Sequence, residues 1–350
     1  MLLFAMVLAS PAGAAGGVDD TGLGWSPRSD YRMQFADTDL FRAALVKARA
    51  PTLPRVRVTG LVVPHHLVAA DLIATGFEAV VRSGTVPRRV ILLVPDHYKR
   101  SVRPFATTRR DFGTVFGRVR ADPGAVEQLL RSDLVEASDL FAYEHGVAAL
   151  LPFLRQAFPR ARIVPVAVSV ASRRYHWDAM VASLRPLLDA HTLVVQSTDF
   201  SHYRNRGEAD DDDQRTLNAL AAGDADRIAA LRQPAQVDSV GAVYIQAALQ
   251  AHLRAAAPVV LAHGNSDDYG ATRGDNTTSY LVQLFSPGLH QRVVLPAQPG
   301  ARSLCVAGDT FFGRHVQRLL ERPGVRARLL RAWQARLQGC PLMVNLDYRE

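Results

Sequence analysis

Six short runs rich in Val, Ile and Leu, at residues 56–63, 90–94, 162–170, 192–196, 258–262 and 279–285, recur along the chain, most of them separated by segments long enough for a helix. Most are apolar at consecutive positions rather than at every second one, as strands covered on both faces are. Such strands need helices on either side of their sheet. The alternation therefore predicts an α/β fold with a mostly parallel central sheet flanked by helices. Helices are expected near residues 39–50, 67–83, 145–158, 175–190, 211–220 and 239–255. In sheets of this kind a ligand binds beyond the carboxyl ends of the strands, so the residues that follow each run are where chemistry is sought.

Those residues are Pro64-His65-His66 after the first run, Pro95-Asp96-His97 after the second, and Ser197-Thr198-Asp199-Phe200-Ser201-His202 after the fourth. Tyr143-Glu144-His145 opens a helix in the same region, where Glu144 suits the positive helix end. In an extended chain His66 points away from His65, which gives it a supporting role. Neutral imidazoles converging with a carboxylate make an open site for a divalent metal such as Fe(II), Mn or Zn, with positions left for substrate or dioxygen. Cys305 and Cys340 match no zinc spacing, so a metal here must use His and carboxylates. Asp210 to Asp213 read as the solvated, dipole-favoured start of a helix rather than a cation site, and His263-Gly264-Asn265-Ser266-Asp267-Asp268 as a polar loop, with a place on the same strand-end rim as the other reading.

The net charge of +8 suggests a nucleic-acid partner until it is divided along the chain. Residues 286–350 hold ten Arg against four acids, which leaves about +2 for the first 285, and no nucleic-acid partner is expected. No apolar run reaches the roughly 20 residues of a membrane span. The apolar stretch from Met1 followed by Ala12-Gly13-Ala14 resembles a leader with its cleavage triplet, although no Lys or Arg precedes it. Residues 1–19 are thus expected to direct export, to the periplasm or beyond, with a cytoplasmic location if the segment is no leader. Residues 20–54 read as an extension, 55–286 as the main domain and 287–301, rich in Pro and Gly, as a linker. From 302 a strand, two helical segments and another strand make a partial α/β unit too small to cover a sheet.

Taken in order, Val63-Pro64-His65, Leu93-Val94-Pro95-Asp96-His97, Glu144-His145-Gly146 with Leu151-Pro152-Phe153, Ile163-Val164-Pro165-Val166 and Ser197-Thr198-Asp199-Phe200-Ser201-His202-Tyr203 resemble the Memo family over residues 55–285. That family includes the AmmeMemoRadiSam system protein B, and the resemblance implies the fold of class III extradiol (LigB-type) dioxygenases. It also implies that His65 and His97 are metal ligands, with Asp199, His202 and His145 as catalytic candidates, His202 serving as acid or base and Asp199 positioning it. Where the family commonly supplies a cysteine ligand, Val237-Asp238-Ser239 places Asp238, which would complete a two-histidine, one-carboxylate set. Asp238 reads equally as the cap of the helix that follows. Residues 306–314 with Val344-Asn345-Leu346-Asp347 resemble the opening of CapA-like poly-γ-glutamate synthesis proteins, cut short, with Asp309 at an acidic metal position.

These resemblances imply a non-haem iron enzyme, dioxygenase-like or otherwise redox, acting on a small-molecule or peptide ligand, with copper, zinc or manganese as other metals. Two alternatives stay open. One is a non-catalytic accessory module of cell-envelope polymer synthesis, suggested by Ala148 and Leu150 where the family is polar. The other is a metal-dependent hydrolase using the same ligands.

Overall fold

The computed structural model describes residues 30–287, apart from 256, 257, 272, 273 and 275, together with two short strands, Cys305–Ala307 and Met343–Asn345. The expected leader, the linker and Asp309 lie outside the described residues. The chain divides into two units, 1–294 and 295–350. In the second, Cys305–Ala307 and Met343–Asn345 pair in parallel.

The first unit is built on one large sheet. Its strands are β1 (Gly60–Val63), β2 (Arg89–Pro95), β3 (Phe105–Thr107), β4 (Phe112–Thr114), β5 (Gly117–Ala121), β6 (Val135–Ala137), β7 (Arg162–Val168), β8 (Thr192–Ser197), β9 (His202–Arg204), β10 (Val259–Asn265) and β11 (Thr277–Phe285). The main path runs β10-β11-β1-β8-β2-β7-β3-β6, with β4, β5 and β9 paired beside it. The four central strands β1, β8, β2 and β7 are mutually parallel, and antiparallel partners extend them on both sides. All six sequence-predicted strands are present. The helix predicted at 145–158 is two, His145–Ala148 and Leu151–Ala157, with Pro152 in the first turn of the second.

Burial explains the continuous apolar runs. In β2, Val90, Leu92 and Val94 pack with Ile73, Phe77 and Phe153 on one face, while Ile91 and Leu93 pack with Met180, Leu184 and Ile245 on the other. The helix Ala70–Arg82 lies so close on β1 that a Cβ at Gly76 would stand 2.4 Å from Val63 Cγ1 and 3.0 Å from Leu61 Cδ1. Gly76→Ala is therefore expected to destabilise the fold by about 1–3 kcal/mol through overpacking, against the roughly 1 kcal/mol that helix propensity alone would add. A urea midpoint that moved upward would show the helix to have room to withdraw. Among the described residues no helix is long and apolar enough to cross a membrane.

Because β1, β2 and β8 are parallel neighbours, their carboxyl ends open on one edge. The chain leaves β1 at Pro64-His65, β2 at Asp96-His97 and β8 at Thr198-Asp199. That edge carries the candidate site.

Candidate metal centre

The loop after β2 is tied by its own first residue. Asp96 is fully buried, and its carboxylate accepts from the Arg100 and Ser101 backbone N–H groups at 3.0 and 2.8 Å and from Ser101 Oγ at 2.7 Å. This knot holds His97 at the strand end and leaves Lys99 in a left-handed conformation, φ 52°. Tyr203, directly after His202, is the same at φ 56°. Conformations that bulky residues avoid thus fall in the loop after β2 and in the short strand β9.

Two imidazoles are fixed in orientation by what they touch. The Ser197 hydroxyl donates to Gly146 O at 2.6 Å, so it accepts from His65 Nδ1–H at 3.1 Å and leaves Nε2 facing the site. His97 Nδ1–H donates to Glu144 Oε1 at 2.6 Å, and its backbone N–H donates to Oε2 at 3.1 Å. Its Nε2 is likewise turned inward. Glu144 is fully buried and also caps His145–Ala148, taking the Gly146 N–H at 2.9 Å. Gly146 forms a close floor, since a Cβ there would stand 3.4 Å from His97 Cε1 and 3.6 Å from His65 Nδ1.

Asp238 meets both inward nitrogens. Its Oδ2 lies 3.3 Å from His65 Nε2 and 3.8 Å from His97 Nε2, and accepts the Asp199 backbone N–H at 2.8 Å. Its Oδ1 is buried with no hydrogen-bond partner among the described residues. The capping reading of Asp238 fails, because Ser239 caps Val240–His252 by accepting from Ala242 N–H. His145 joins from the next element: the ring centroids of His65, His97 and His145 lie 4.2 to 5.1 Å apart, and each ring offers a nitrogen within 4.8 Å of the others. Tyr98 Oη sits 3.2 Å from His145 Nδ1.

Asp199 and His202 are arranged differently from the expectation. Asp199 Oδ1 accepts the His65 backbone N–H at 3.1 Å and Oδ2 lies 3.6 Å from His65 Nε2, while His202 Nδ1 is 2.6 Å from Phe200 O. Asp199 therefore steadies His65, and a backbone carbonyl orients His202. The supporting role of His66 agrees with its 2.7 Å bond to Tyr280 Oη.

Electrostatics follow from burial and crowding. Burial, then the neighbouring His97 and His145, hold His65 well below the ordinary imidazole range. Burial and His97 bring His145 down to about 4. Burial would lower His97 as well, but the nearby Asp238 carboxylate and the bond to Glu144 prevail and raise it to about 10. Burial and the nearby Asp238 push Asp199 up to about 8. Four groups that titrate so far from their usual values on one strand edge mark a functional site.

Two readings of the sequence are corrected here. Asp212 and Asp213 do not face solvent; both are buried. Asp213 accepts from Ser201 Oγ and Ser279 Oγ at 2.7 Å each and pairs with His263 Nε2 at 2.8 Å. His263 belongs to strand β10 rather than to a loop. The polar partners Asp213 finds come from residues 201, 263 and 279, which no local pattern connects. Of the two residues behind the accessory-module reading, Leu150 is in the core and not on the rim, while Ala148 is half-buried. Sequence reasoning named Ser197 without its role on His65 and missed the bond from Glu144 to His97; a polar residue ending an otherwise apolar strand was the available signal for the first.

The profile of the family described as Memo-like protein matches residues 35–283. A MEMO1 family protein of Methanopyrus kandleri is 30% identical over 173 residues, 47% of this chain and 60% of its own length. One from Thermotoga neapolitana is 31% identical over 173 residues, 47% of this chain and 61% of its own. The chain thus spans about three fifths of the length of these curated relatives. Among solved structures, an uncharacterized protein of Escherichia coli K12 superposes with a TM-score of 0.46 and 11% identity, covering 65% of this chain and 99% of that one. The ordered strand-end motifs and the profile match over most of the chain agree: this chain belongs to the Memo-like family.

Proposed function

We propose that the strand edge binds one divalent metal, iron first, and that the chain is a non-haem, dioxygenase-like or otherwise redox enzyme. The observation that carries this reading is the donor set. His65 and His97 each turn Nε2 inward because the other ring nitrogen is already bonded, bare in His65 and available in His97 once its proton leaves, and both face Asp238, whose second oxygen is buried without a partner. A buried carboxylate oxygen left without a partner, on a carboxylate whose other oxygen lies against these two nitrogens, is costly unless a cation or donor meets it. Two histidines and one carboxylate suit iron with open positions, and His145 stands within reach as a fourth donor. Iron held there would supply electron transfer to or from a bound ligand or dioxygen.

The chain's own residues define the rest. Glu144 and Ser197 hold the two rings in orientation, and Asp199 fixes the backbone of His65. His202, bonded through Nδ1 to a carbonyl, keeps Nε2 for proton exchange with a ligand at the edge. Elemental analysis of the full chain after anaerobic reconstitution with Fe(II) tests the proposal. Near one iron per chain is expected, reduced in both Asp238→Asn and His145→Gln if both donate and in only one if a single residue completes the set. A chain that stays metal-free after reconstitution sinks the reading.

A further inference from the structure

Three arginines converge on one buried carboxylate. Asp212 is 2% exposed. Its Oδ1 accepts from Arg215 Nη1 and from Arg232 Nη2, both at 2.8 Å, and Oδ2 lies 3.3 Å from Arg204 Nε. One guanidinium neutralises one carboxylate. Among the described residues no other carboxylate lies within 4.0 Å of the three, so within that distance three guanidiniums share one carboxylate. The side chains of Arg215 and Arg232 remain 63% and 57% exposed. Arg215 commits one donor to Asp212, and Arg232 adds only Gln236 Oε1 at 3.4 Å.

We propose that Arg204, Arg215 and Arg232 form a receptor for an oxyanion, the carboxylate or phosphate group of a ligand. Each guanidinium has five donors in a rigid planar fork that matches such groups. Asp212 pre-positions the forks and discharges only one of them, so an anion arriving from solvent meets donors already ordered. The node also borders the metal centre along the chain. Arg204 ends the strand that begins at His202, and Arg232 is bonded to Gln236, two residues before Asp238. The receptor goes beyond the metal reading and does not depend on it.

Calorimetric titration of the full chain at low salt with inorganic phosphate, and separately with citrate, tests the proposal. One saturable site is expected for at least one of them. Phosphate alone would assign phosphoryl ligands, and citrate alone would assign carboxylates. Arg215→Gln and Arg232→Gln should each weaken binding by about tenfold or more. Asp212→Asn should tighten it, because the carboxylate competes with the anion for the same donors; an anchor that merely fastens loops would give no tightening. Each arginine variant leaves Asp212 two partners, and an unchanged unfolding midpoint separates a lost site from a lost fold. The same titration in the His97→Ala chain distinguishes this node from the metal. Absence of saturable binding, or binding unaltered in both arginine variants, overturns the proposal.

Discussion

Affinity for Fe(II) is expected to rise by about tenfold for each pH unit between 6 and 8, roughly a hundredfold in all, with release of about one proton per metal. The proton comes from His97. In the metal-free chain the nearby Asp238 carboxylate and the bond to Glu144 raise it to about 10, so its inward Nε2 carries a hydrogen throughout this range. His65 and His145 are held below the ordinary imidazole range and contribute bare nitrogens without cost. Asp199, pushed up to about 8, adds to the slope if the metal draws off its proton too. Calorimetry in two buffers of different ionisation enthalpy counts the protons directly, and an affinity flat from pH 6 to 8 would refute this account of the site.

The same shifts set the stability of the metal-free chain. His97 releases its proton near 6.5 when unfolded and near 10 when folded, so its contribution is complete below about 6.5 and is lost as pH rises toward 10. Asp199 acts in the same direction over a lower window, from about 4 unfolded to about 8 folded. Metal binding removes the dependence on His97 by taking the place of its proton.

How much of this was legible in the sequence depended on how local each cause was. The central strands were visible because a strand buried on both faces must be apolar at successive positions, as residues 90–94 are. Strands β3 to β6 were not predicted. They have three to five residues each, and only β5 carried a signal, with Arg118 and Arg120 exposed and Val119 and Ala121 buried in alternation. His65, His97 and Asp199 could be singled out because each follows a recognisable strand. Glu144 was read as a helix-end charge. That is half its role, since its bonds to His97 depend on a loop 47 residues away. Asp212 was misread for the same reason: an acid that opens a helix looks solvated until arginines at 204 and 232 are brought onto it by the fold.

Glu144 is the residue whose removal should do the most damage. Its two oxygens satisfy the His97 Nδ1–H, the His97 backbone N–H and the Gly146 backbone N–H, all at a position without solvent exposure. Glu144→Ala leaves three donors without their acceptor and is expected to cost about 3–5 kcal/mol, the range for breaking a buried charged pair. It also frees the His97 ring to rotate, which should weaken metal binding by about 10–100-fold. Glu144→Gln separates the two effects. The amide keeps one accepting oxygen but offers an N–H where a second acceptor is needed, so at most two of the three donors stay satisfied. With the charge gone, the rise in His97 loses one of its two supports. Stability should therefore fall by less than in Glu144→Ala, and metal affinity should depend less steeply on pH than in the wild type. Unfolding midpoints and Fe(II) titrations at pH 6 and 8 for both variants read these quantities. Equal metal affinity in the wild type and Glu144→Ala would mean that His97 takes no part in holding the ion, and the donor set would have to be drawn from His65, His145 and Asp238 instead.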